Sequence, residues 1–233
     1  MITSEFELID LTQDIYQGMP LYGIHQPTFI MVNQTHEQSR KATGSDLGFY
    51  ARNILMSEHA GTHSDASLEY VEGGDDIVEM PITHYYGSAI CVDLSHKRYP
   101  EYIEVADLKE AIEKSGQQLK KGDIFLMYTG LYNREYPGEG YKNNYTGVSY
   151  EAAKWLAEQG IVNIAVDAPA IDQTPDDLTF AGHKVCGEYN ITNTENLANL
   201  DKVVNKRFLY FGLPLKITGG TGSPIRAVAL IEK

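Results

Sequence analysis

Cysteine is scarce in this sequence and tryptophan scarcer: 233 residues contain two cysteines and one tryptophan. Cys91 and Cys186 stand in "AICVDLS" and "HKVCGEYN", with neither a CxxC pair nor a disulfide-like spacing. A disulfide-stapled scaffold is therefore excluded, and two reduced, inert thiols are expected. Positive charge is also in short supply. Nineteen Lys and Arg face 32 Asp and Glu, a formal net charge of −13. Such a chain repels phosphate backbones and anionic bilayers, so no nucleic acid and no membrane is expected among its partners. Long apolar runs are missing too. No stretch approaches the roughly 20 apolar residues of a membrane span, and the opening "MITSEFELIDLTQDIYQGMP" carries acids in place of a basic region and an apolar run. A cytoplasmic location is the expectation.

What is present suits one globular domain spanning 1–233, since 42% hydrophobic and 22% charged residues suffice for a continuous core without disorder. Apolar and β-branched runs bounded by turn residues predict strands in "FELIDLT", "PTFIMVNQT", "FYARNILMSE", "SAICVDLS", "GDIFLMYTG", "IVNIAVDAPA", "RFLYFGLPLKI" and "IRAVALIE". Helices are predicted over Val105–Gly116 and Ser149–Gly160, each ending at glycine, the second opening on a serine N-cap. A short third helix is predicted over Glu195–Val203 from its leucine spacing. Between Tyr132 and Gly147, "YNREYPGEGYKNNYTG" reads as an exposed excursion, a candidate lid.

The chemistry concentrates in "SEHAGTHSDASLEY", Ser57 to Tyr70. A helix would put His59 and His63 on one face, but Gly61, Thr62, Ser64 and Ser67 are poor helix formers. A fully extended strand would hold the two imidazoles roughly 13 Å apart, too far to share an ion. A bend at Ala60-Gly61, using the freedom of glycine, brings both towards Asp65 and makes an N,N,O donor set. Three such ligands leave a coordination position open, as catalytic zinc sites do. Against this stands a plainer reading, in which the histidines are polar residues on a strand end and Asp65 caps a turn. The short motif leaves both open.

The same residues resemble the cyclase-like, kynurenine-formamidase-type metal-dependent hydrolases, whose hallmark is H-x-G-T-H-x-D-x-P-x-H; His59, Gly61, Thr62, His63 and Asp65 stand in register with it. The resemblance continues through "IDLTQDIYQGMP", "GDIFLMYTG", "AVDAPAID" and "PLKITGGTGSPIRAVAL". It implies an α/β fold, the swivelling β/β/α domain with a mixed sheet and flanking helices, and a homo-oligomer, dimer or tetramer. It implies that His59, His63 and Asp65 bind a divalent metal, zinc first and manganese second, as one or two ions. His183 and Glu195, in "HKVCGEYNITNTENLANL", resemble the family's late histidine and glutamate and would complete the shell or hold the attacking water. Read alone, His183 is a surface histidine and Glu195 a helix N-terminal acid.

Two positions depart from the hallmark: Ser67 replaces the proline and Glu69 the final histidine. A carboxylate beside a divalent cation suits a general base, so Glu69 joins His183 and Glu195 as a candidate catalytic residue, with Glu195 also a candidate ligand. The expected function is hydrolysis of a small amide, cyclic amide or lactone carbonyl through a metal-activated water. Arylformamidase chemistry on N-formylkynurenine is the example the resemblance implies, and a non-catalytic ligand-binding member of the same fold is the alternative. Other features read more plainly. "GGTGSP" lacks the lysine of a phosphate loop and reads as a tight turn before the last strand. "EGGDD" reads as a solvated turn, and Asp167 and Asp172 as support for a loop. Only His25, among the remaining histidines, is placed to approach the pocket.

Overall fold

A computed structural model describes residues 5–173 and 178–233 of the chain. Nine strands form one mixed sheet, in the order β1 (Phe6–Asp10), β11 (Val228–Glu232), β9 (Arg207–Phe211), β5 (Tyr86–Asp93), β6 (Ile124–Tyr128), β7 (Asn163–Val166), β8 (Thr192–Glu195), β4 (His63–Asp65) and β10 (Gly222–Pro224). The four central strands β5 to β8 run parallel, and the outer pairings are antiparallel.

Side-chain alternation divides this sheet between two cores. Ile90, Val92, Phe125, Met127, Ile164 and Val166 pack under helices α2 (Val105–Ser115), α5 (Tyr150–Glu158) and α6 (Ala181–Tyr189). The alternate residues Ala89, Cys91, Ile124, Leu126 and Ala165 meet Ile9, Phe208, Tyr210 and Ala229 from the outer strands, so the sheet curls to cover its own second face. Both thiols lie in these cores, free and buried. The two helices predicted from capping form as expected. Ser149 Oγ accepts from Ala152 N, and Gly116 ends α2 at φ 68°.

The third predicted helix is absent. Glu195 instead ends β8, and only Leu200–Lys202 makes a single 3₁₀ turn, because Asn196 and Asn199 take positive φ and break the helical path. The Tyr132–Gly147 excursion is exposed only in part: it holds most of α3 (Leu131–Glu135) and all of α4 (Glu139–Asn143), and Tyr141 and Tyr145 anchor it in the helix-side core. Helix α6 escaped prediction because Gly182 and Gly187 are weak helix formers. Packing requires both: a Cβ would stand 2.8 Å from Ile171 Cδ1 at Gly182 and 2.5 Å from Val71 Cγ2 at Gly187.

A separate two-stranded ribbon, β2 (Phe29–Gln34) with β3 (Ala51–Leu55), carries the short helix α1 (His36–Thr43) between its strands. These strands pair only with each other among the described residues. Phe29, Met31, Val32, Phe49, Ile54 and Leu55 are all exposed on or beside it. Isolated ribbons of this size are marginal in water.

Candidate active site

The bend expected in the HxGTHxD stretch is present: Gly61 sits at φ 68°, where a non-glycine residue is strained. Thr62 fixes it, with its hydroxyl donating to Asn196 O at 2.6 Å and accepting from Gln13 N at 2.9 Å. The chain then enters β4, whose register sets His63 opposite Glu195 on β8 and Asp65 opposite Gly222 on β10. Residues far apart in sequence are thus joined by two backbone ladders. Gly222 makes room for the site, since a Cβ there would lie 2.7 Å from His59 Cε1 and 3.0 Å from Asp65 Oδ1. The "GGTGSP" turn therefore does more than precede the last strand, because it supplies β10 and one wall of the site.

Two groups of ligand atoms result, each within 4.8 Å: His59, His63 and Asp65, and Asp65, His183 and Glu195. Asp65 belongs to both. Its Oδ1 lies 2.8 Å from His59 Nδ1 and 3.4 Å from His63 Nε2, while its Oδ2 lies 3.7 Å from His183 Nε2. His63 Nδ1 is 2.8 Å from Gly61 O, a contact that needs a proton on Nδ1 and turns the Nε2 lone pair towards Asp65 and Glu195 Oε2. Glu195 Oε1 accepts from Ile171 N at 2.9 Å and from Asn193 Nδ2 at 3.1 Å, leaving Oε2 directed at His63. His183 lies on α6, and its Nδ1 contacts Asp172 Oδ2. Neither plain reading of these two residues survives, for His183 faces the cluster and Glu195 starts no helix.

Glu69 follows β4 in a 3₁₀ turn, with Oε1 3.6 Å from His59 Nδ1. Its Oε2 is buried with no hydrogen-bond partner among the described residues. Burial, then the charge of Asp65, pushes the Glu69 carboxyl up to about 8. Burial raises Glu195 well above the usual carboxylate range; the His183 charge opposes this and the Asp65 charge adds to it. Burial takes His63 down to about 4, whereas for His59 burial is outweighed by the hydrogen bond and charge of Asp65, and the imidazole rises to about 9. Buried Asp65 and Glu195 and half-buried Glu69 face the ring nitrogens of His59, His63 and His183, an imidazole and carboxylate set of the kind that holds a divalent cation. The donor set fits such an ion.

The cluster opens into a cavity of about 670 Å³ lined by Tyr22, His25, Tyr70, Phe180 and Lys184 among others. His25 does reach it, stacked on His59 with ring centroids 5.0 Å apart. Two residues here were not legible as site residues. Asp172, expected to support a loop, orients His183, whereas Asp167 does support one, accepting from Thr129 N at 2.9 Å. Asn193 joins Asp65, Glu195 and Tyr70 by hydrogen bonds. The alternation of "ITNTE" about the candidate ligand Glu195 was the available signal, since Asn193 and Glu195 share a strand face.

A mixed α/β fold with a His/Asp/Glu cluster at the mouth of a cavity suits a hydrolase of the metal-dependent kind. The Putative cyclase family profile matches residues 9–173, and the chain belongs to that family. It is 28% identical over 226 residues to a kynurenine formamidase of Erythrobacter litoralis, covering 97% of this chain and 94% of that protein. It is also 28% identical over 254 residues to an isatin hydrolase of Roseibium aggregatum, covering 100% of this chain and 95% of the relative. Among solved structures, an isatin hydrolase bound to the product analogue thioisatinate superposes with a TM-score of 0.87 at 22% identity, covering 100% of this chain and 95% of the other. A potential metal-dependent hydrolase with cyclase activity superposes at 0.77 with 24% identity, covering 98% and 99%. The fold expected from the sequence is the fold observed.

Proposed function

We propose that the chain, as one domain, hydrolyses the carbonyl of a small aromatic amide, cyclic amide or lactone with a divalent metal held by His59, His63, Asp65 and Glu195. The observation that carries this reading is the convergence of the His59 and His63 imidazoles on the Asp65 and Glu195 carboxylates, neither of which pairs with a Lys or Arg among the described residues. Zinc and manganese both suit a donor set of imidazole and carboxylate, as one or two ions. When bound, such an ion supplies a Lewis acid that polarises the substrate carbonyl and makes water a usable nucleophile near neutral pH. Glu69 lines the cavity and takes a proton from the attacking water. As the carbonyl–nitrogen or carbonyl–oxygen bond breaks, the same proton passes to the leaving atom, giving an amine or alcohol and a carboxylic acid, which releases its remaining proton to solvent. His183, its Nδ1 held by Asp172, presents Nε2 to Asp65 and Glu195 and either completes the metal shell or steadies the water. Tyr70, Phe180 and Tyr22 offer flat apolar walls to an aromatic substrate.

The direct test is the metal content of the purified protein, followed by turnover of aryl formamides, cyclic imides and lactones with added zinc or manganese. Metal-dependent hydrolysis of at least one class is expected, and loss of activity in chelator should reverse when the ion is returned. A protein that binds neither metal and turns over nothing refutes the reading.

The same proposal places the enzyme in the cytoplasm as a homo-oligomer, its apolar β2–β3 ribbon covered by a second copy. Light scattering is expected to give at least twice the 26.0 kDa chain mass. The double variant Val32→Lys, Ile54→Lys should move the mass towards that of the single chain, because both residues are exposed on the ribbon. A wild-type mass of one chain across dilution contradicts the proposal.

A further inference from the structure

Each imidazole of the cluster presents one nitrogen to the carboxylates, and what holds the other nitrogen differs from ring to ring. For His63 it is a backbone carbonyl and for His183 the carboxylate of Asp172. For His59 it is a relay. His59 Nε2 lies 3.0 Å from Thr221 Oγ1, and both Thr221 Oγ1 and Thr221 N lie 2.8 Å from a single oxygen of Glu58, Oε2.

The direction of these bonds follows from donor chemistry. A carboxylate oxygen only accepts, so the Thr221 hydroxyl spends its one proton on Glu58. What it then offers His59 is a lone pair, and the Nε2 contact requires a proton on Nε2. The 2.8 Å contact of Nδ1 with Asp65 Oδ1 carries the second ring proton, and with Nε2 kept protonated by the relay it is this Nδ1 proton that an ion displaces. Glu58 precedes His59 in the chain while Thr221 immediately precedes β10, so the relay also ties the bend to the β10 edge. Backbone bonds fix its far end: Ala66 N donates to Thr221 O at 2.8 Å.

We infer that Thr221 and Glu58 are positioning residues for metal binding, which lock His59 in the Nε2–H tautomer and so present Nδ1 to the ion. The inference rests on the metal-site reading above and adds to it a specific outer partner. Outer partners of ligating histidines typically contribute roughly 10–100-fold to metal affinity.

The experiment measures zinc affinity by competition with a chromophoric chelator on the full chain, independently of turnover. Thr221→Val keeps the side-chain shape but removes the hydroxyl, and is expected to weaken zinc binding by roughly 10–100-fold. Thr221→Ser keeps the hydroxyl and should bind close to wild type. Glu58→Ala should weaken binding as well, because the hydroxyl proton is then free to turn towards His59. Nitrogen-15 spectra of the zinc-loaded wild type should show His59 Nε2 protonated and Nδ1 metal-bound. Equal affinity in Thr221→Val and wild type overturns the inference, as does an equal loss in Thr221→Ser or zinc bound through Nε2. Should Thr221→Val fail to fold, Glu58→Ala decides, and unchanged affinity there is a refutation. Wild type that binds no zinc overturns the metal-site reading along with the relay; wild type that binds zinc while Thr221→Val binds equally well removes the relay alone.

Discussion

His63→Ala is expected to leave a folded protein that has lost most of its bound metal and its hydrolase activity. The loss should exceed the roughly 100-fold upper range for an outer partner, since a direct ligand is removed. His63, like His183, faces both carboxylates, with Nε2 3.4 Å from Asp65 and 3.6 Å from Glu195. His183 faces the other oxygen of each carboxylate, Asp65 Oδ2 and Glu195 Oε1, so it does not fill the place that His63 leaves. Folding should survive, for His63 belongs to none of the apolar cores, and its pairing with Glu195 and Pro224 is a backbone contact that alanine preserves. Metal analysis by mass spectrometry after gel filtration, with circular dichroism on the same sample, makes the measurement. A folded variant with full metal occupancy removes His63 from the site and the N,N,O assignment with it.

Legibility in the sequence followed the length over which a pattern repeats. Strands β5, β6 and β7 were readable because their residues are apolar on both faces, each face belonging to a separate core. Strands β4, β8 and β10 have three or four residues each, too few for any periodicity. Yet those three strands build the site, by registering His63 against Glu195 and Asp65 against Gly222. Local geometry therefore allowed His59, His63 and Asp65 to converge around Gly61 without deciding it, whereas Glu195 and His183 came only through resemblance to a family. Asp172, Asn193 and Thr221 had neither advantage. Each is an ordinary polar residue in its own segment, and its importance arises from a hydrogen bond to a residue elsewhere in the fold. Helix α6 was missed for a related reason, its glycines being chosen by close packing against propensity.

Glu69→Gln is expected to lower turnover by roughly 10²–10⁴-fold, the usual effect of losing a general base, while metal content stays near that of wild type. The glutamine keeps the shape of the side chain but cannot accept and return a proton. The structural motive is the Glu69 Oε2 atom, buried at the cavity without a hydrogen-bond partner among the described residues. In the protein without its ion, burial and the Asp65 charge hold this carboxyl up to about 8. A nearby divalent cation pulls the value down, so in the loaded enzyme Glu69 is ionised at neutral pH and activity falls as the pH drops through its lowered pKa. Glu69→His separates the two roles a residue can play here. If the carboxylate acts as base, the imidazole should restore turnover relative to Glu69→Gln, with the acid limb of the pH profile displaced upwards, since imidazole titrates above a carboxylate. If the position instead ligates, Glu69→Gln should lose metal and Glu69→His should regain it, perceptible in metal content before any assay of turnover. Wild-type rate, metal content and pH profile in both variants would remove Glu69 from the chemistry and pass proton transfer to His183 or Glu195.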